Sequence, residues 1–252
     1  MSLVPRKIDV ATQQRVLEEL LSDSLPPSGG FSGEFSIEET ENWYAITGIQ
    51  HKDKSRDTKM FAYDVAKNPL ASNTQEGHAQ HANTVASTDF RACSAPVVYA
   101  ICKILYTHKD SAQWSSVIAR ARQTLQNILG PEKPWVNTLS RINYSVNGQD
   151  EVVHDYGLLT QYTIQQALVG PDGFITKPET KATEYTQALF DTTDSMELMN
   201  NVFKWVSTKE SYAYRVNALQ TSPQARVVAL GVGDSVGFDL NAGLIGNGRP
   251  AL

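Results

Sequence analysis

At 252 residues, 41% of them apolar and 19% charged, the chain can line one sizeable core, since a chain of this length hides roughly 70–75% of the surface it exposes unfolded. A net charge of −5 with scattered Lys and Arg gives no basic cluster of the kind that neutralises phosphates, so nucleic-acid contact would require distant basic residues to converge in one groove. No run approaches the ~18 apolar residues of a membrane span, the first residues lack the apolar core of a signal peptide, and Cys93 and Cys102 have no CxxC partner. These features predict an intracellular, cytoplasmic or virion protein with free buried thiols and no membrane partner.

In chain order, Asp9 is placed to cap a helix whose stripe is Val10, Val16, Leu17, Leu20 and Leu21, closed by the Pro/Gly/Ser segment from Leu25 to Gly30. Asn42 to Ile49 and Lys59 to Val65 are rich in aromatic and branched side chains and predict two strands joined by a charged loop. The polar stretch from Asn68 to Thr88 has no apolar period and reads as a long surface loop. Ser94 with Pro96 in the first turn opens a helix through Tyr106. Ser111 starts a second, with Trp114, Val117, Ile118, Ala121, Leu125, Ile128 and Leu129 at steps of three and four up to Gly130-Pro131. The short connection makes these two an antiparallel helical hairpin.

A β-hairpin follows. Ile142, Tyr144 and Val146 alternate, Asn147-Gly148 offers a type I′ turn, and Val152 to His154 return. Gly157 then precedes a helix through Val169, closed by Gly170-Pro171. Two more helices are expected at Glu179–Phe190 and Ser195–Val206, while Tyr212 to Leu219 is ambiguous. The tail holds two short strands, Arg226 to Val232 and Val236 to Leu240, and a Gly-rich end. The predicted fold is α+β and helix-rich, a central antiparallel helical hairpin with peripheral β-hairpins and extended N- and C-terminal segments. Its divisions are an N-terminal helix, arm and linker (1–30), a core domain (31–225) and a C-terminal β/Gly-rich extension (226–252).

Three patterns carry candidate chemistry. Val227 to Leu230 followed by Gly231-Val232-Gly233-Asp234-Ser235 resembles the nucleophile block of the GDSL-type lipases and esterases, which implies Ser235 as an ester-attacking serine. That family places the block near its N-terminus with an Asp-x-x-His pair near the C-terminus. Here 17 residues follow Ser235 and none is histidine, so a hairpin turn explains the same residues. His78 and His81 stand three apart, a spacing that shares a metal on a helix, and His51 or Glu76 could add a ligand, although the sequence names no specific third one. His154 lies beside Asp155 and three residues after Glu151, and a carboxylate near an imidazole makes an acid/base pair.

No Gly-x-Gly-x-x-Gly or phosphate loop is present, so no cofactor is expected. Two functional readings remain. One is a non-catalytic self-assembling subunit of virion- or filament-coat type, a homo-oligomer or protein-binding chain whose N- and C-terminal segments dock on neighbours. The alternative is a hydrolase using His154 with Asp155 or Glu151, or a His78/His81 metal site.

Overall fold

The computed structural model describes residues 34–85, 89–131, 135–232, 237–244 and 249–251. The first predicted helix, its linker and the Gly233-Asp234-Ser235 turn lie outside the described residues. Phe35–Leu252 forms one unit.

Its first layer is a three-stranded antiparallel sheet in the order β1 (Ser36–Glu39), β2 (Trp43–Lys52), β3 (Thr58–Ala66). The β2–β3 register shifts between Ile46 and Ile49, and Gly48, at φ 76°, sits in that bulge where a side chain would be strained. Strand β2 buries Tyr44 and Ile46 by alternation and, one residue later than strict alternation because of the bulge, Ile49.

The second sheet has nine strands and is mixed. The path runs β4 (Leu70–Asn73), β12 (Arg249–Ala251), β5 (Val136–Tyr144), β10 (Gln224–Val232), β11 (Phe238–Leu244), β9 (Ser211–Tyr214), β8 (Gly173–Phe174). Two further strands, β6 (Glu151–His154) and β7 (Tyr162–Gln165), branch from β5. One edge of β5 is therefore divided: Asn137 pairs in parallel with Ala251, while Arg141 to Asn143 pair antiparallel with Val153 to Glu151.

Among the described residues five α-helices complete the fold: α1 (Gln75–Thr84), α2 (Ala95–Thr107), α3 (Ser115–Leu129), α4 (Thr183–Phe190) and α5 (Met196–Ser207). Helix α2 is buried almost all round and packs against β2, β5, α4 and α5. Phe203, on α5, stacks on Phe238 of β11 and tilts against Tyr99 and Phe190, so one aromatic cluster joins α2, α4, α5 and the sheet.

The helix-rich expectation is corrected: strand outweighs helix, 33% to 30%, and the architecture is a large mixed sheet. The two hairpin helices exist, but α2 packs most against β2, and both α2 and α3 meet α5 rather than each other. The C-terminal segment is no appendage either, because β10 and β11 are central strands and β12 fills half of one edge of β5. The stretch from Asn68 to Thr88 contains β4 and α1 instead of a continuous loop. Helix α1 eluded hydropathy because its inward side chains include Gln75 and His78, and its start is capped by Thr74 Oγ1 accepting from Gly77 N–H. The helix expected after Gly157 is replaced by β7, whose Tyr162 and Ile164 face inward and alternate with exposed Thr163 and Gln165.

Candidate functional site

The hairpin of β5 and β6 sets the position of the histidine singled out from sequence. Arg141 pairs with Val153, so the next step along the two strands brings Ser140 beside His154, both fully buried. His154 Nε2 lies 3.0 Å from the carbonyl oxygen of Ala188, in the last turn of α4, and Nδ1 lies 2.8 Å from Ser140 Oγ. Burial pulls the imidazole down to about 4, so the neutral ring prevails at pH 7. A carbonyl only accepts, which fixes the tautomer: Nε2–H donates to Ala188 and Nδ1 accepts the Ser140 hydroxyl proton. Ser140 Oγ in turn accepts from the Ala95 N–H at 2.9 Å, one of the donors left open at the start of α2. Four elements meet on one serine–histidine pair.

Neither predicted acid partners this ring. Glu151 lies opposite Asn143 and Gln165, at the far end of β6. Asp155, at φ 51°, turns out of the strand. Its charge is felt by His51, Tyr63, Cys93 and Tyr162. The acid whose charge reaches His154 is Asp191.

Beside Asp155, His51 stacks on Phe61 with ring centroids 4.1 Å apart. Its Nδ1–H donates to the Lys52 carbonyl at 2.7 Å, and Nε2 accepts from the Tyr63 hydroxyl at 2.7 Å. Burial lowers this imidazole and raises the Tyr63 and Tyr162 phenols. The Cys93 thiol is pushed up to about 12, first by burial and then by the Asp155 charge. A nucleophile needs its pKa lowered or a base within reach. This cluster does the reverse, holding thiol, phenols and imidazoles in their neutral forms. The adjoining cleft, walled by Tyr63, Val65, Leu70, Phe90, Cys93 and Val97, has a volume of about 70 Å³. That is well below the roughly 300–1,000 Å³ of pockets that enclose a small ligand.

A third group ties the β2–β3 hairpin to the end of α4. Asp191 follows α4 in left-handed conformation with a buried carboxylate, and its Oδ1 receives Lys52 Nζ at 3.2 Å and Arg56 Nη2 at 3.0 Å. Arg56 is itself left-handed, at φ 65°, in the hairpin tip. In the same hairpin Lys59 pairs with Asp53, and at the other end of the three-stranded sheet Arg120 and Lys67 share Glu39. Each of these basic side chains thus has a carboxylate partner, two of the three acids serving two cations each.

His78 is buried and bonds the Arg249 carbonyl at 2.8 Å, fastening α1 to β12. His81 is exposed, its Nε2 lying 3.3 Å from the Phe90 carbonyl. Each has its own backbone partner, and among the described residues no group of three or more His, Cys, Asp or Glu side chains is arranged to hold a metal. No helix among them is long and apolar enough to cross a membrane.

Sequence reasoning missed Ser140, Tyr63 and Asp191, and weighed His51 only as a further metal ligand. Ser140 was out of reach: a two-residue Asn147-Gly148 turn would pair Arg141 with His154, whereas the observed register, one residue off, pairs Arg141 with Val153. Asp191 offered no local signal, since its partners come from a hairpin far away in the chain. Compared with known protein families, with curated proteins and with solved structures, the chain matches none.

Proposed function

We propose that this chain is a non-catalytic subunit that works by self-assembly, in the manner of a virion or filament coat protein. The observation that carries the reading is the outer edge of β3. Among the described residues this nine-residue strand pairs only with β2, and Thr58, Lys59, Met60, Ala62 and Asp64 along it are exposed. An open edge is a template for pairing with another chain, and proteins ordinarily blunt it with proline, bulges or free charge. Here the edge contains no proline, the bulge lies in β2 rather than in β3, and the Lys59 ammonium is already neutralised by Asp53, which leaves Asp64 as the one charge along it outside an ion pair among the described residues. The occupant that this reading assigns is a second copy of the chain, joined through the same strand about a two-fold axis. The neutral state of His51, Tyr63, Cys93 and His154, with His51 bonded to Tyr63 and His154 to Ser140 and Ala188, supports the same reading. The hydrolase alternative draws no support from the positions of His154, Asp155, Glu151, His78 and His81.

Size-exclusion chromatography with light scattering tests it on the full chain. The expected result is a mass above 27.8 kDa that falls towards 27.8 kDa in the exposed-edge variant Met60→Lys/Ala62→Lys. A wild-type protein that stays at 27.8 kDa over all accessible concentrations refutes the reading.

A further inference from the structure

His154 sits on the only bonded path described above that links β6, β5, α2 and the end of α4 at one point. Each bond fixes the next. The ring donates to Ala188 and accepts from Ser140, and Ser140 accepts from Ala95. Three residues beyond Ala188, Asp191 grips Lys52 and Arg56 of the β2–β3 hairpin. The hairpin that carries the open β3 edge is therefore held, through Asp191, by the same helix end that His154 holds.

Protonating Nδ1 reverses one donor–acceptor relation. Ser140 Oγ would then face two donors, Ala95 N–H and Nδ1–H, and its own proton would lose its acceptor in a site with no exposure. The ring would also carry an unpaired charge there, which is costly. The ionisable groups around it come from several elements. Asp191, at the end of α4, favours the charged ring, and Arg56 from the hairpin opposes it. Tyr162 of β7 lies with its ring centroid 5.1 Å away, Asp155 follows in the chain, and Lys52 acts through Asp191. The β5 and α2 sides offer only the Ser140 hydroxyl and a backbone N–H.

We propose that His154 is an acid-released latch: a proton on its ring frees the α4 end from β6, and with it the β2–β3 hairpin and the β3 edge. The latch concerns regulation of the edge assigned above and rests on that assignment only for its consequence in assembly. Once the seam opens, the ring regains an ordinary affinity for protons, so the open fraction rises about tenfold per pH unit on descending from near 6.5 towards 4.

The experiment is hydrogen-exchange mass spectrometry of the full chain from pH 7 to 4, corrected for intrinsic exchange, on wild type and His154→Gln. The carboxamide keeps one donor and one acceptor but does not titrate. Wild type is expected to lose protection together in 151–154, 183–190 and 52–58, with the tenfold-per-unit slope, while H154Q keeps it through pH 5. An identical pH profile in H154Q, or a hairpin that exchanges independently of 183–190, overturns the latch. Should H154Q fail to fold, the wild-type imidazole is followed by NMR. A titration near 6.5 with protection retained overturns the proposal, and a depressed midpoint reached only as protection is lost supports it. Light scattering at each pH separates the two ideas: a monomer throughout refutes assembly, while the exchange profile still decides the latch.

Discussion

Replacing Ser140 by alanine removes a single oxygen from a fully buried site, yet it orphans two groups at once. The Ala95 N–H loses its acceptor at 2.9 Å, and His154 Nδ1 loses its donor at 2.8 Å. An unsatisfied buried polar group costs about 1–3 kcal/mol, so the pair totals about 2–6 kcal/mol, with about 4 kcal/mol as the central value. For a chain of this size that lowers the melting temperature by roughly 8–16 °C. The assay is urea unfolding at pH 7, read from the midpoint with the slope unchanged, beside Thr107→Ala as a control. Thr107 Oγ1 donates to the Lys103 carbonyl on an exposed helix face, so its loss should stay within about 0.5 kcal/mol. Combining Ser140→Ala with His154→Phe should cost less than the two changes summed, because the second removes the group that the first leaves bare. A Ser140→Ala protein within about 1 kcal/mol of wild type would refute the donor–acceptor chain assigned to these residues.

Asp239 is a buried carboxyl on β11, raised to about 6 by burial and then by the Asp172 charge, and its Oδ1 has no hydrogen-bond partner. The folded state binds this proton more tightly than the unfolded state does. Stability is therefore lost as pH rises from about 4 to 6, and Asp239→Asn should gain about 1–2 kcal/mol at pH 7 after solvent screening and nothing at pH 3, as read by thermal unfolding at both values. Asp150 accepts the Ser145 and Leu168 N–H groups, each at 2.9 Å, so Asp150→Ala should cost about 2–4 kcal/mol in urea unfolding, whereas the neighbouring exposed Gln149→Ala should change little.

The readable parts of this fold were those where apolar period and cap chemistry agree. Strands β2 and β3, helix α5, the α2 start at Pro96 and the β5–β6 pairing all follow from local pattern. The Asn147-Gly148 turn was half legible: Gly148 takes φ 75°, while Asn147 has no positive φ and instead accepts from Ser145 Oγ and Gln149 N–H through its side chain. Helix α1 was illegible because it buries polar groups, Gln75 donating to the carbonyls of Thr138 and Ser140 where an apolar helix would show leucine. The sheet order was illegible for another reason: β12 lies between β4 and β5, and no period within ten residues encodes partners so far away. Of the candidate residues, His154 was noticed and its hydrogen-bonding partners were not, since an imidazole in a sequence looks the same whether a carboxylate or a carbonyl meets it.

The divided edge of β5 has a consequence for how the protein is made. Until Arg249–Ala251 has emerged from the ribosome, β4 and the first half of β5 both lack the neighbour that separates them. Closing so long a loop is entropically slow, and the nascent chain waits meanwhile with bare ladder groups that attract chaperones or other nascent chains.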